Sequence, residues 1–501
     1  MVRSKALLRS TLALSVLAAS AVALPVQAET LKGALEKAYD NNPTLTAARA
    51  GQRAQDENVP IARADGLPSA GSQADYQENL FGVSQGMNDR SLAVSATASV
   101  PLYQGGRVKN AVRAAEKRVE SGQADLRATE ASVFNQVVAV YMDVIRDQAI
   151  VSLNRGNVGV LSVNVEATRD RFQIGDLTRT DIAQSESRLA LAQGQLRSAE
   201  AQLIGSRERY IELVGEAPVD LQPPPPLPNL PASADDAVQQ ALAENPDIEA
   251  AQYQVEASRY DVKSAKGARL PQIEASGRTT YNNYLGSLDS ANPAFRADQD
   301  RIAGGVGVTA TFPLFQGGRP AAIVRQAQAR NSQAMEGLIA TERSVIAQTR
   351  AAFASHRASQ DIILSSQTAV QASSLSLEGV RAENSVGNRT ILDILNAEQE
   401  LLNAQVDLVA AQRNAYVAGF SLLAAMGRAE AQDLGLEGGP LYQPEANYNR
   451  VKDKVWDWDD DPNPTPQATR TYESPAQNAT VPTMDRPGTN ASQTPVPPRR
   501  Y

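Results

Sequence analysis

The chain of 501 residues has no cysteine. That excludes disulfide staples, thiolate metal sites, cysteine nucleophiles and an N-terminal lipid-modified cysteine, so any hold on a membrane has to come from protein surface. Histidine is almost missing too: His356 is alone, and the position one helical turn on is Gln360, so no helical pair is available to a metal. After residue 28 no run of 18 apolar residues occurs, which leaves no transmembrane helix. A spanning element would have to be a barrel, since only helices and closed barrels satisfy their backbone hydrogen bonds in lipid. Positive charge is also short, with a formal net charge of −8, and nucleic acid is not expected as a partner because binding it depends on clustered Lys and Arg. Neither a phosphate-binding loop nor a convergent nucleophile, base or metal set occurs. No catalytic residue, cofactor or metal is expected, and the chain does not read as an enzyme.

The first 28 residues carry a basic start (Arg3, Lys5, Arg9), an apolar stretch from Leu12 to Leu24, and small residues around Val26-Gln27-Ala28. Together they read as a cleavable secretory signal. Its removal takes away three positive charges and no acid, moving the formal charge from −8 to −11.

An internal repeat organises the remainder. PLYQGGRVKNA from Pro101 recurs as PLFQGGRPAAI from Pro313, an offset of 212, and Phe172-Gln173-Ile174-Gly175 is matched at the same offset by Asn384-Ser385-Val386-Gly387. Upstream, Asn42-Pro43 pairs with Asn245-Pro246, and Leu67-Pro68 with Leu270-Pro271, at an offset of 203. The chain therefore divides into a first repeat over 29–222, a proline-rich connector over 223–233 that cannot be helical throughout, and a second repeat over 234–430. The tail over 431–501 is rich in Pro, Asn, Thr and charge; it is expected to be largely disordered and periplasmic, with a short docked piece near Tyr442 to Trp458.

Each repeat reads as helix, strand, strand, long helix, tight turn, helix. Leu92, Val94, Ala96, Ala98, Val100 and Leu102 alternate with residues including Ser91, Ser95, Thr97 and Ser99. Ile302, Gly304, Val306, Val308, Ala310, Phe312 and Leu314 repeat the pattern, and because 212 is even the two registers coincide. About ten alternating residues with small and polar side chains on the second face are the signature of a membrane barrel strand with a wet interior. Partner strands are expected near 70–79 and 272–284, joined through surface loops at 80–90 and 285–300. From Gly106 to about Phe172 no proline occurs, and Val112, Val119, Leu126, Val133 and Val140 recur every seven residues; Ile182, Leu189, Leu196, Leu203 and Tyr210 do the same in the return helix. Seven-residue repeats mean helices packed along a seam. A helix of about 67 residues is roughly 100 Å long, the scale of a periplasm-sized gap.

One copy supplies four strands, too few to close a barrel with a lumen. Three copies would give 12 strands and 12 helices, though periodicity alone does not choose three over four. The segments TLKGALEKAYDNNPTL and ADDAVQQALAENPDI, PLYQGGR and PLFQGGR, and QIGDLTRTDIAQSESRLA and SVGNRTILDILNAEQ resemble the TolC-type outer-membrane efflux family over residues 29 to 430. The resemblance implies a mainly α chain with a membrane β-barrel part: a homotrimer with a 12-stranded outer-membrane β-barrel and a 12-helix periplasmic α-barrel. It implies an outer-membrane channel-tunnel of a Gram-negative bacterium, extending into the periplasm. Its partners would be outer-membrane lipid, a periplasmic adaptor and an inner-membrane transporter, ABC or proton-driven. Small toxic compounds, secreted polypeptides or both would pass through it passively. A structural periplasm-spanning or adhesive rod is the alternative to a channel.

The two helix turns are the informative positions. Gly387 suits a left-handed turn, Thr390 a helix cap, and Asp393 a capping box; Gly175, Thr178 and Asp181 repeat the set. By resemblance, Asp393 matches a pore-constricting aspartate and Arg389 and Asp181 match residues that hold the entrance shut. Gly175, Leu177, Gly387 and Asn388 would meet the adaptor. Two departures, Asn396 in place of a second acidic residue and Asn384 in place of a tyrosine, imply an entrance with fewer charges and a weaker lock.

Overall fold

The computed structural model describes residues 28–81, 89–228, 230–287, 298–436 and 441–481. Residues 1–27 of the expected secretory signal and most of both expected surface loops lie outside these. The first repeat runs α1 (Leu31–Asn41), α2 (Pro43–Asp56), α3 (Asn58–Ala64), β1 (Ser69–Glu78), β2 (Arg90–Tyr103), α4 (Arg107–Gln173) and α5 (Arg179–Val214). The second runs α6 (Ala234–Glu244), α7 (Pro246–Gly267), β3 (Gln272–Asn283), β4 (Asp300–Thr311), α8 (Arg319–Ser385) and α9 (Ile391–Ala425), and α10 (Pro444–Val451) follows in the tail. The long helices have 67 residues each, or about 100 Å at 1.5 Å per residue. The leading helix of each repeat, read as one element from the sequence, is broken at Asn42 and Asn245, where a proline follows that cannot bond back into the preceding turn.

The four strands form one antiparallel sheet in the order β1-β2-β3-β4. Its register separates two faces. Ala74, Val94 and Tyr281 stand side by side, as do Gly277 with Val306 and Ala275 with Val308; the opposite face joins Gln73, Ser95 and Thr280, and Arg278 with Gly305. Val94, Ile302, Val306 and Val308 are exposed, so the apolar face has no protein against it. β1 and β4 are open edges. In a bilayer their unpaired amides and carbonyls would each be costly, so closure has to come from strands of further copies.

Below the sheet, α4 is flanked from one end by α3, α2 and α1 and from the other by α5, and the two columns meet end to end. Asn42 makes the splice: its Oδ1 accepts from the Thr44 and Leu45 amides (2.9 and 3.3 Å), capping α2, while its Nδ2 donates to the Leu213 carbonyl at the end of α5 (2.8 Å). Asn245 repeats this, accepting from the Asp247 amide at 2.9 Å and donating to the Ala425 carbonyl at 3.0 Å. The shorter helix above and the return helix below thereby act as one continuous wall.

The main core lies at this splice. Phe134, Val137, Val138, Tyr141 and Val144 of α4 pack with Leu203, Tyr210 and Val214 of α5 and with Leu31, Leu35 and Leu45 of α1 and α2, all buried. Each such side chain contributes about 1.5–3 kcal/mol when fully buried, so this belt anchors the repeat. Tyr141 donates to the Gln222 carbonyl at 2.6 Å and pins the start of the connector. The two long helices differ sharply in cover: 21 residues of α4 are buried in the protomer against 6 of α8.

The described part of the tail begins with the piece expected to dock near Tyr442 and stays in contact with the helices beyond it. Residues 441–481 lie along the helices as a strap. The Tyr442 amide donates to the Tyr39 hydroxyl (2.8 Å), Asn447 donates to the buried Asp56 (2.7 Å), Arg63 donates to the Lys452 carbonyl (2.8 Å) and pairs with Asp453, and Arg207 donates to the carbonyls of Asn478 and Thr480. Main-chain carbonyls, a few polar anchors and apolar side chains spaced far apart, among them Tyr448, Val451 and Val481, hold the segment.

A candidate gate at the two helix turns

Both turns are built the same way. α4 ends where Gly175 takes φ +84° and its amide donates to the Phe172 carbonyl; α8 ends where Gly387 takes φ +82° and donates to Asn384. A side chain at either glycine would be strained by the left-handed backbone, although nothing crowds the position. Leu177 is half-buried, whereas Gly175, Gly387 and Asn388 are exposed. The Arg171 side chain closes the first turn onto Asp176 at 2.7 Å.

The helices that follow start with complete capping boxes. Thr178 donates its amide and hydroxyl to Asp181 Oδ2 at 2.8 and 2.7 Å and accepts the Asp181 amide at 3.3 Å. Thr390 does the same with Asp393 at 2.9, 2.8 and 3.3 Å. Each carboxyl is held below the usual carboxylate range, first by the threonine amide and then by its hydroxyl. Both aspartates are therefore ionised at neutral pH. In each, the bonds engage Oδ2, so capping leaves Oδ1 free to face ions.

Arg389 bonds Glu383 of its own turn at 2.7 Å, and Asn384 donates to the Arg389 carbonyl at 2.7 Å. Within one copy Arg389 is thus a brace across its own turn rather than a link to Asp181. Arg188 of α5 donates to Asn396 of α9 at 2.7 Å, and Leu161, Ala192 and Leu395 pack together, so the two hairpins lie side by side at one end of the molecule.

Two features escaped the sequence reading. Ile174 and Val386, paired by the repeat offset one residue before each turn glycine, are both large apolar side chains left exposed; the pairing was legible, their exposure was not. Glu398 is buried and accepts from Asn164 of α4 (3.1 Å) and Arg381 of α8 (2.9 Å), joining three helices just above the second turn. It follows Ala397 and lies four residues after Ile394, both buried in the α8–α9 seam, and that spacing was the signal.

His356 lies beside Gly419 with its Nε2 3.0 Å from the Gln360 amide nitrogen. No group of three or more His, Cys, Asp or Glu side chains able to hold a metal occurs among the described residues. No helix among them is long and apolar enough to cross a membrane.

The family model described as outer membrane efflux protein matches residues 34–216 and 237–428, one match on each repeat. The outer membrane efflux protein BepC of Brucella suis is 34% identical over 431 residues, covering 85% of this chain and 91% of its own. The outer membrane protein TolC of Escherichia coli is 25% identical over 432 residues, covering 83% and 86%. Among solved structures, the outer membrane protein VceC of Vibrio cholerae superposes with a TM-score of 0.66 at 23% identity, covering 79% of this chain and 96% of that one.

Proposed function

The chain belongs to the outer membrane efflux protein family, and from that premise we propose that three copies close one barrel and one tunnel, gated at the helix turns. As an outer-membrane efflux channel it conducts cargo passively from the periplasm. The observation that carries the trimer is the four-stranded sheet with one apolar face, one polar face and two open edges: three such sheets give the 12 strands of a barrel wide enough for a wet lumen. The tunnel wall is then 12 helical columns, six of them the unbroken α4 and α8 and six spliced at Asn42 and Asn245.

At the tip, Asp393 of each copy supplies a fixed negative charge, and a ring of three raises the local cation concentration at the entrance. Arg389 and Asp181 hold the turns closed. Gly175, Leu177, Gly387 and Asn388, with the exposed Ile174 and Val386, form the surface for the hairpins of a periplasmic adaptor, which couples the tunnel to an inner-membrane transporter, ABC or proton-driven. That transporter selects the cargo, whether small toxic compounds or secreted polypeptides, since a duct needs no tight site of its own.

Planar-bilayer conductance tests the gate. Asp393→Asn removes charge while keeping an acceptor for the cap, and Thr390→Ala removes the cap while keeping the charge. Cation preference is expected to fall in the first variant and persist in the second, and Arg389→Ser is expected to raise conductance. Unchanged selectivity in Asp393→Asn would reduce that residue to a helix cap.

A further inference from the structure

We propose that the top of the C-terminal strap, Val455 to Trp458, is a membrane-interface anchor that seats both tryptophans of the chain in the headgroup layer of the periplasmic leaflet. The chain has two tryptophans, Trp456 and Trp458, and they are 74% and 84% exposed beside an exposed Val455. Large aromatic side chains are normally well covered, so a contiguous exposed group marks a surface that meets something else.

The strap's anchors fix where this group sits. Tyr442 meets Tyr39 at the core belt, Asn447 meets Asp56 at the end of α2, and the Lys452 carbonyl with Asp453 meets Arg63 in α3. The strap thus climbs toward the barrel. It then turns back, for Asp461 bonds Arg450 at 2.7 Å, Thr469 lies against Gly215 at the end of α5, and Asn478 meets Arg207 further down that helix. Residues 455–458 are therefore the part of the strap nearest the barrel. Arg63 lies six positions before Ser69, the first residue of β1, a rise of about 9 Å if helical throughout. The Asp65 carbonyl is 3.3 Å from Gln104, immediately after β2, so this level is the barrel's lower rim. A headgroup layer adds roughly 5–8 Å to each side of the hydrocarbon core, which brings it within reach of an indole held at Asp453.

Two further observations favour lipid as the occupant. Tyr103 at the end of β2 and Phe312 and Phe315 just after β4 are exposed as well, so aromatic side chains also mark the strand ends at the barrel's lower rim. Indoles prefer this layer because the ring is apolar and its N–H finds a polar partner there. Asp453 is paired with Arg63, Asp459 with Lys454 at 2.9 Å and Asp461 with Arg450, while Asp457 and Asp460 are exposed, so the segment suits the hydrated headgroup layer and not the hydrocarbon. The anchor would act as a depth stop, fixing how far the barrel stands in the membrane.

The inference rests on the outer-membrane barrel reading, and the test separates the two. The full chain is reconstituted into phosphatidylethanolamine–phosphatidylglycerol vesicles, with integration checked by flotation and ion flux. Because the chain has no other tryptophan, its intrinsic emission reports this segment alone. Quenching by lipids brominated near the headgroup, with protection from aqueous acrylamide, is expected for wild type, and partial loss of that signal for Trp456→Phe and Trp458→Phe singly. Full acrylamide access with no bromolipid quenching, in vesicles that conduct ions, overturns the anchor and leaves the channel standing. A spectral change produced only by peptidoglycan fragments or by a soluble periplasmic protein overturns it in favour of that partner. Failure to integrate at all overturns both readings.

Discussion

Replacing Asn42 by alanine should open the splice between α2 and α5 while leaving each helix intact. The side chain is 2% exposed and makes three bonds: it accepts from the Thr44 and Leu45 amides and donates to the Leu213 carbonyl. Losing an N-cap costs about 1 kcal/mol. Leu213 lies in the last turn of α5, where its carbonyl has no partner within the helix, and stranding a buried acceptor costs about 1–3 kcal/mol. The two terms share one side chain and overlap, so about 2–3 kcal/mol is expected, equivalent to a local opening roughly 30- to 150-fold more frequent. Hydrogen exchange read by mass spectrometry on residues 42–50 measures it directly. Asn42→Ser, which keeps a capping oxygen but cannot reach Leu213, should fall between wild type and alanine. Asn245→Ala should give a similar acceleration at Asp247. Unchanged exchange in Asn42→Ala, or a serine variant as fast as alanine, would refute the splice as a source of stability.

Further outcomes follow from the same structure. Glu398→Ala leaves Arg381 and Asn164 without their shared carboxylate, a loss of about 1.5–3 kcal/mol for a charge-assisted bond; thermal midpoint should drop and single-channel conductance rise, and Glu398→Gln should do less of both. Burial pushes the Glu430 carboxyl up to about 7, with Arg127 opposing and Asp433, Glu130 and Glu249 assisting. The folded state therefore keeps this proton to higher pH than the unfolded chain, so the stability it contributes is present below the ordinary carboxylate range and is lost as pH climbs to about 7. The thermal midpoint should decline across that window, and Glu430→Gln should flatten the decline. Asn447→Asp sets a second carboxylate against the buried Asp56, whose own pKa burial raises; limited proteolysis should cut the strap faster at neutral pH and lose the difference in acid.

Periodicity made the large features legible. A proline-free run with apolar residues every seven positions gave α4 to within a residue at each end, and alternation gave both faces of the sheet, because those patterns report burial along regular backbone. The capping boxes were legible for the same reason: Thr178 with Asp181 and Thr390 with Asp393 are local in sequence. Contacts between distant segments were not. The Asn-Pro pairs were visible as a repeat, but nothing local says that the asparagine reaches a carbonyl 171 residues away. That Arg389 reaches Glu383 of its own turn is a choice of side-chain conformer that spacing leaves open. Only the first part of the strap, near Tyr442, was legible; the rest is held by backbone carbonyls, isolated ion pairs and scattered apolar side chains such as Ala479 and Val481, which leave no hydrophobic period.

The unequal cover of α4 and α8 has a bearing on the life of the chain before it reaches its membrane. A lone copy carries Ile339, Ile362, Leu364 and Leu375 bare along α8 and two unpaired strand edges above it. Such a copy is a target for chaperones and proteases until neighbours cover it, so the pool of finished channels should depend on synthesis rate more steeply than linearly. Substitutions that slow association along α8 would then lower abundance in the cell without touching conductance in those channels that do form.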